Sequence, residues 1–542
     1  MKKRILHSRL NICLAIVILA VMGLFPIQSG AADMSYGDWE LDGFFRNNTG
    51  FWTESWDYAP NNDPLATFRN WFRLNLNGSV TDNLKLKAEI QAIYEPEYHR
   101  EKGAGIPANE YNSFDFRELR LDWKVGNGHN IRIGRQIVNW GESLSARVGD
   151  VINPQDHWFD LGFTNLEDSR MPIWMLRGMH QFYGIGTSLD WIFSPYNQVD
   201  RYRASRTLAW NPGKIDINGN WNGVGERRFC PYPETRIYKD DVGFLSPSQV
   251  FGTGLMPAFG MMENGVLWAP FNQVMYQPIG GGLYGVTGAP NITRSNYPDS
   301  NLDDARWGFK TSSTLYGVQT GVYFWRGHAF TPPVLWYKGS TPSGLGFDYH
   351  NFELEYTRQN TYGLYANKNF DFGVLRMDMA YKPEYDYQTD DISRYSQLVC
   401  QVDTLLFQLG FNKDFMMRRL NANQAFSLTA EYVGEYLLGE TGGALLAFPW
   451  HEKKRQDSHT LMMSLGTNYN FGMYALDLTS LYNMGNNGLI QPSFTYNPDW
   501  MNRKWSFKLS YANVFGDHNY DLPYGILREK DLVVLTTQFS FP

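Results

Sequence analysis

The hairpin FRNWFRLNLNGSV, TDN, LKLKAEIQAIY, residues 68–94, constrains the fold more than any other stretch. In its first arm Phe72, Leu74, Leu76 and Val80 alternate with Arg73, Asn75 and Asn77. In its second, Leu84, Leu86, Ala88, Ile90 and Tyr94 alternate with Lys85, Lys87, Glu89 and Gln91. A period of two places successive side chains on opposite faces of a strand. Each arm holds about 11 residues, the length at which a tilted strand crosses a bilayer, whereas strands of soluble sandwiches run about half as long. Such arms fit a wall with lipid on one side and water on the other.

Similar arms recur along the chain. FRELRLDWKV sets Leu119, Leu121, Trp123 and Val125 against Glu118, Arg120, Asp122 and Lys124, and GNGHN turns it into IRIGRQIVNW. VLRMDMAY, DTLLFQLGF, FSLTAEYVGEY, TLMMSLGTNY, MYALDLTSLY and WSFKLSYANVF repeat the pattern. Less regular arms lie near 39–47, 172–180, 183–193, 305–313, 316–326, 351–368 and 488–496. The count is about 18, within roughly 16 to 20. Every second connection is short (TDN, GNGHN, KNFD, NFG, NPDWMN), and most of the others are long. The pattern predicts an all-β fold, a transmembrane antiparallel β-barrel with short periplasmic turns and long extracellular loops. An even count makes LVVLTTQFSFP, residues 532–542, the strand that closes against the first, with Phe539 and Phe541 at its periplasmic end. Pro542 displaces the terminal aromatic that usually ends such barrels.

Aromatic residues make up 16% of the chain, yet beyond the N-terminus no apolar run is long enough for a membrane helix. Aromatic girdles on a barrel account for both facts. The alternative is a large secreted all-β protein, a propeller or sandwich whose aromatics form cores or sugar platforms; it needs neither bilayer-length strands nor one-sided loops.

Lys2, Lys3, Arg4 and Arg9 precede an apolar run from Cys13 to Ile27 and the small residues Ser29, Gly30, Ala31 and Ala32. That layout predicts a signal peptide, residues 1–32, cleaved after Ala32 or Ala31, leaving 33–542 as a single barrel domain. A retained membrane helix is the alternative, but the run is short for a span of about 20 residues. Removing residues 1–32 takes away four positive charges and no negative ones, which moves the formal charge from −7 to −11. So acidic a chain is a poor partner for nucleic acid. The partners to expect are outer-membrane lipid and the barrel assembly machinery. Two cysteines then remain, Cys230 and Cys400, and the sequence leaves open whether they form a disulfide or two thiols.

At 131–143 stands IRIGRQIVNWGES, followed by VGDVINPQD at 148–156 and MPIWMLRG at 171–178. These segments resemble a family of Gram-negative outer-membrane barrels catalogued as a domain of unknown function, number thirteen-oh-two, whose members share a GRQ…WGES element and an INP-type loop. The resemblance implies an outer-membrane barrel that passes hydrophobic or bulky molecules, and it supplies no catalytic set. The motif reads as a strand with a fault. Ile131 and Ile133 begin one face, which would point Arg135 into lipid, where a midplane Arg costs about 2–4 kcal/mol. A bulge at Gly134 is expected to shift the phase, bring Arg135 into the lumen and leave Trp140 near the extracellular rim. Either Arg135, Gln136 and Glu142 organise a network that holds the 143–170 loop against the wall, or the motif is a structural bulge with an interfacial Trp.

The lumenal rows carry Arg73, Lys85, Lys87, Arg120, Lys124 and Arg132 with Glu89, Glu118 and Asp122 among them, and further on Arg376, Asp378, Lys382, Glu431 and Glu435. Such charges either set ion selectivity or pair across neighbouring strands. An insert at about 194–304 contains Met256, Phe259, Met261, Met262, Trp268 and Phe271, expected to constrict the mouth or to pack into a small plug of their own. No HExxH, GxSxG, P-loop, CxxCH or EF-hand pattern occurs, so neither an enzyme nor a metal or other cofactor is expected. The expected function is a porin-like channel or transporter for small or hydrophobic solutes. The alternative is a sheath around a partner protein, such as an electron-conduit cytochrome or the outlet of an exporter complex.

Overall fold

The computed structural model describes residues 35–36, 39–53, 65–96, 112–157, 166–198, 300–329, 357–388, 399–439, 457–516 and 531–541, apart from single positions, with short strand segments between 201 and 355. Eighteen antiparallel strands form one closed sheet. The first seven are β1 (Trp39–Trp52), β2 (Leu65–Thr81), β3 (Leu84–Tyr94), β4 (Ser113–Gly126), β5 (His129–Gln136), β6 (Ile173–Phe182) and β7 (Thr187–Ser194). After the insert come β8 (Arg306–Leu315), β9 (Val318–His328), β10 (Arg358–Phe370), β11 (Gly373–Gln388), β12 (Val399–Phe415) and β13 (Phe426–Leu438). The ring ends with β14 (Asp457–Tyr469), β15 (Tyr474–Asn483), β16 (Asn487–Tyr496), β17 (Trp505–Gly516) and β18 (Leu532–Phe541). Each strand pairs with its neighbours in sequence, and β7 pairs with β8 across the insert.

Closure is direct. β18 pairs with β1 in the register Gly43↔Phe541, Phe45↔Phe539 and Phe51↔Val533, so neither terminal strand presents an open edge. The two sets of connections separate by length as the alternation implies: 82–83, 127–128 and 316–317 on one end, 95–112, 137–172 and 195–305 on the other. The exceptions are the tight link 484–486 on the long side and the longer turn 416–425 on the short one.

The faces follow the period of two. Phe45, Leu121, Ile133, Val322, Leu409 and Leu509 are exposed and form part of the outer apolar band. Aromatic rings gather at its two edges. Tyr474, Tyr496 and Phe507 run along the short-turn end at centroid spacings of 5.4 and 6.5 Å. Trp307, Phe324 and Tyr362 do so at the long-loop end, 5.2 and 5.1 Å apart. A buried apolar cluster lies inside the barrel, made of Val138, Trp140, Val151 and Ile152 with Ile173, Met175, Ile192, Tyr323, Trp325 and Tyr365 of the wall. The side chains of a wall this wide do not fill its interior, and the four residues from the loop between β5 and β6 complete the core.

Candidate functional site: a loop across the lumen

After Gln136 the chain leaves the wall and turns inward, and Asn153 holds the two ends of the excursion together. Its carbonyl accepts the N–H of Val138 at 2.7 Å, and its amide donates to the carbonyls of Gln136 at 3.3 Å and Met171 at 2.8 Å. Asn153 is fully buried, and so is Gln136, whose amide donates to the carbonyl of Met175 at 3.2 Å. The GRQ and INP elements, apart in sequence, meet here because one amide side chain can serve three main-chain groups at once. Beside them Arg170 pairs with Asp150 at 2.7 Å, both almost completely buried.

The WGES element reaches the far wall. Trp140 is 1% exposed; its indole N–H donates to Asp190 at 3.0 Å, and its ring lies edge-on to Trp325 with centroids 6.0 Å apart. It is therefore a lumenal anchor and not a rim residue, a correction to the sequence expectation: the chain turns inward before Trp140, and the indole finds its acceptor on β7. Lys310 of β8 donates to the Trp140 carbonyl at 3.0 Å. The main-chain N–H of Glu142 donates to Asp378 at 3.1 Å, and the carbonyl of Glu142 accepts from Arg376 at 2.9 Å. Leu144 N–H donates to Glu431 at 3.0 Å, and the Ser143 hydroxyl reaches the same carboxylate at 3.3 Å. Arg376 also pairs with Glu431 at 3.0 Å, so one cation and two acids of β11 and β13 clasp the turn.

Gly149 and Gly141 make the approach to Asp378 possible. A Cβ on Gly149 would lie 2.5 Å from an Asp378 carboxylate oxygen, and one on Gly141 would lie 3.0 Å from it. Tyr323 donates to the same carboxylate at 3.2 Å.

The loop then returns to the first strands. A single helical turn, α1 (Leu166–Ser169), carries Asp168, which pairs with Arg46 of β1 at 3.2 Å and Arg73 of β2 at 2.9 Å. Arg117 of β4 donates to the carbonyls of Asp168 at 3.4 Å and Arg170 at 3.1 Å. Burial acts to raise the Asp168 pKa, but the guanidiniums of Arg73, Arg46 and Arg117 outweigh it and hold the carboxyl below its usual range. Around the ring β13 lies eight strands from β5 one way and ten the other. The loop thus spans the lumen, docked on β11 and β13 at one extreme and on β1, β2 and β4 at the other.

Most of the wall charges read from the sequence are paired. Arg73 also pairs with Glu89 at 3.3 Å, Lys87 pairs with Glu118 and lies 3.7 Å from Glu89, and Arg120 bridges Glu118 and Asp122. Arg132 pairs with Asp122 as well. Lys85 stands opposite Asp122 in the β3–β4 register and is exposed. Glu142 engages the wall through its main chain.

Arg135 is placed differently from the expectation. The register of β5 runs without a shift through Gly134 on both sides, keeping Arg135 opposite Leu119 and Trp174, on the outer row with Ile133. Gly134 has φ of +134°, and a Cβ there would collide with the Leu119 carbonyl oxygen, so the irregularity is absorbed in one residue's conformation without a bulge. Arg135 meets its charge locally, pairing with Asp115 and donating to the Pro172 carbonyl at 3.3 Å.

Sequence reasoning passed over Arg46, Arg117, Asn153, Asp168 and Asp190. Arg117 had a signal: Phe116 and Leu119 are three apart where the alternation requires two, and the β3–β4 register shifts there, turning Arg117 towards Glu89 at 3.0 Å. In the insert, Met261 and Met262 lie on a short strand paired to the one that holds Trp268, while Met256, Phe259 and Phe271 fall outside the described residues. Cys230 also falls outside them; Cys400 is buried, its sulfur 3.8 Å from the Tyr387 carbonyl.

Solved structures similar to the chain include OccAB3 of Acinetobacter baumannii, at 9% identity over 93% of this chain and 99% of that one, with a TM-score of 0.43. OpdK of Pseudomonas aeruginosa is 9% identical over 93% and 98%, with a TM-score of 0.42. OmpF of Salmonella typhi, in complex with daunomycin, is 10% identical over 93% and 98%, with a TM-score of 0.37. Comparison with curated proteins gives no match. The family model described as "Protein of unknown function (DUF1302)" matches residues 35–541, across the whole ring and the lumenal loop, and the chain belongs to that family.

Proposed function

We propose that the chain is a porin-like channel of the outer membrane, narrowed by residues 137–172. The observation that carries this reading is the loop docked on opposite walls, through Asp378 and Glu431 on one side and through Asp168 on the other. A loop held at both extremes leaves a passage of defined cross-section, where charged and amide side chains meet the solute at close range. The lining favours small polar solutes over the hydrophobic ones that the family resemblance implies, because the lumenal rows are rich in ion pairs and an apolar solute gains nothing from displacing their water. The sheath reading needs an open lumen for a folded partner, and the contacts of the loop with opposite walls count against it.

Single-channel recording of the purified barrel in a planar bilayer tests the proposal. Steady ohmic openings support it, and larger openings are expected when the loop is released from β11. An inserted barrel that stays silent in both forms would overturn it in favour of the sheath.

A further inference from the structure

The two carboxylate oxygens of Asp168 are each taken by a different guanidinium. Arg46 Nη1 lies 3.2 Å from Oδ2, and Arg73 Nη2 lies 2.9 Å from Oδ1. Asp168 is the one carboxylate that Arg46 meets among the described residues, whereas Arg73 pairs with Glu89 as well. A loop carboxylate, carried on the single turn α1, thus fills a site whose donors belong to the wall.

The wall also holds these donors in place. Arg46 donates through Nε to Gln538 of β18 at 2.8 Å, and Arg73 donates to Gln91 of β3 at 2.7 Å. Both guanidiniums lie over the ring of Phe44, 4.6 and 5.1 Å from its centroid, and that of Arg46 lies 5.2 Å from the centroid of Trp71. None of these orienting partners belongs to the loop, so the two donors keep their separation and direction when Asp168 leaves. Neutral amides and ring faces position a guanidinium without neutralising it. Arg46 stands midway along β1 and its side chain is 22% exposed, which sets the site at mid-height of the wall, within reach of water.

We propose that the Arg46–Arg73 site binds the carboxylate of a small solute in exchange for Asp168, and that the exchange frees the return of the loop. The proposal rests on the channel reading and names the solute class that loosens the loop of such a channel. Asp168 shows the chemistry the site accepts, an acid whose two oxygens each take a charge-assisted hydrogen bond. Removing Asp168 with nothing in its place leaves Arg46 without its counter-charge in a narrow lumen, which is unfavourable. A solute carboxylate relieves that state, so it binds where Asp168 is undocked and shifts the loop towards release. The competition has a finite strength: a short tether gives an effective concentration on the order of millimolar, which a free carboxylate can exceed.

The test is calorimetric titration of the full barrel, folded in detergent micelles, with acetate and its uncharged analogue acetamide. Heat-modifiable migration on gels confirms that each form is folded. Acetate is expected to bind Asp168→Asn about tenfold or more tighter than wild type, because the built-in competitor is gone, and acetamide should show no such gain. Arg46→Gln or Arg73→Gln, each combined with Asp168→Asn, should take away about tenfold of that affinity. In single-channel records with chloride held constant, acetate should raise the current fluctuations of wild type and leave those of Asp168→Asn, already high, as they were. Equal acetate affinity in wild type and Asp168→Asn, a gain that survives both arginine substitutions, or wild-type fluctuations indifferent to saturating acetate would overturn the proposal. A conducting barrel whose Asp168→Asn form gains no acetate affinity refutes the exchange and keeps the channel; a silent barrel that shows the gain refutes the channel alone.

Discussion

The carboxylate of Asp378 on β11 accepts the main-chain N–H of Glu142 at 3.1 Å, across 236 residues of sequence. Both groups are inside the barrel, and Asp378 is fully buried. Geometry selects a main-chain donor here: the glycines at 141 and 149 let the loop backbone approach a carboxylate that any side chain would push away.

Gly149→Ala should therefore undock the loop. The added Cβ would meet Asp378 at 2.5 Å with backbone on the other side, so the turn must move. Expected results are faster proteolysis within 137–157 and larger or noisier single-channel openings, with the barrel still migrating as folded. Unchanged openings would show that the turn does not narrow the passage.

Glu431→Ala should cost more than an exposed ion-pair change. It leaves Arg376 without its carboxylate and strips the acceptor from Leu144 N–H and Ser143. Breaking a buried pair from one side costs about 3–5 kcal/mol. Denaturant unfolding of the folded barrel measures it, and a loss below about 1 kcal/mol, the range of surface pairs, would contradict the burial.

Asn153→Ala tests the clamp at the neck of the loop. Three main-chain groups lose their partner, each worth about 1–3 kcal/mol when left unsatisfied and buried. Amide hydrogen exchange at Val138 should accelerate strongly, because Asn153 is the acceptor for that N–H.

Acid should release the return of the loop. The folded-state pKa of Asp168 lies below its ordinary value of 3.8, so its contribution is fully present above that value and is lost as pH falls through the lower folded pKa. Conductance fluctuations should stay constant from neutral pH down to about 4 and rise below it. Asp168→Asn should show the fluctuations already at neutral pH. A wild-type transition on the alkaline side of 3.8 would assign the effect to another group.

Arg132 and Arg135 should behave differently despite their proximity. Arg132 pairs with Asp122 on the lumenal row, and its loss should shift the reversal potential in a salt gradient towards cations. Arg135 lies on the outer row, so Arg135→Ala should leave the reversal potential alone and act on stability.

The alternation of Phe72, Leu74 and Leu76 with Arg73, Asn75 and Asn77 was enough to read a bilayer-length strand, because lipid and water impose opposite demands on successive residues. Repeated to the C-terminus, it also implied the closing pair of first and last strands, since no other partner satisfies two edges. Most of the lumenal charges were legible for the same reason, Arg135 excepted: water lies on one face of the wall only.

What the tertiary structure decided is where the chain between strands goes. Nothing local to WGES says that Trp140 turns inward to Asp190, or that Glu142 docks on Asp378 and Ser143 on Glu431. Those contacts are made by main-chain groups and short side chains whose partners lie on strands far along the chain, and no period or spacing carries that information. Arg135 shows the same limit at one residue: its side followed from the conformation of Gly134 and the register of two neighbours, which only the assembled sheet determines.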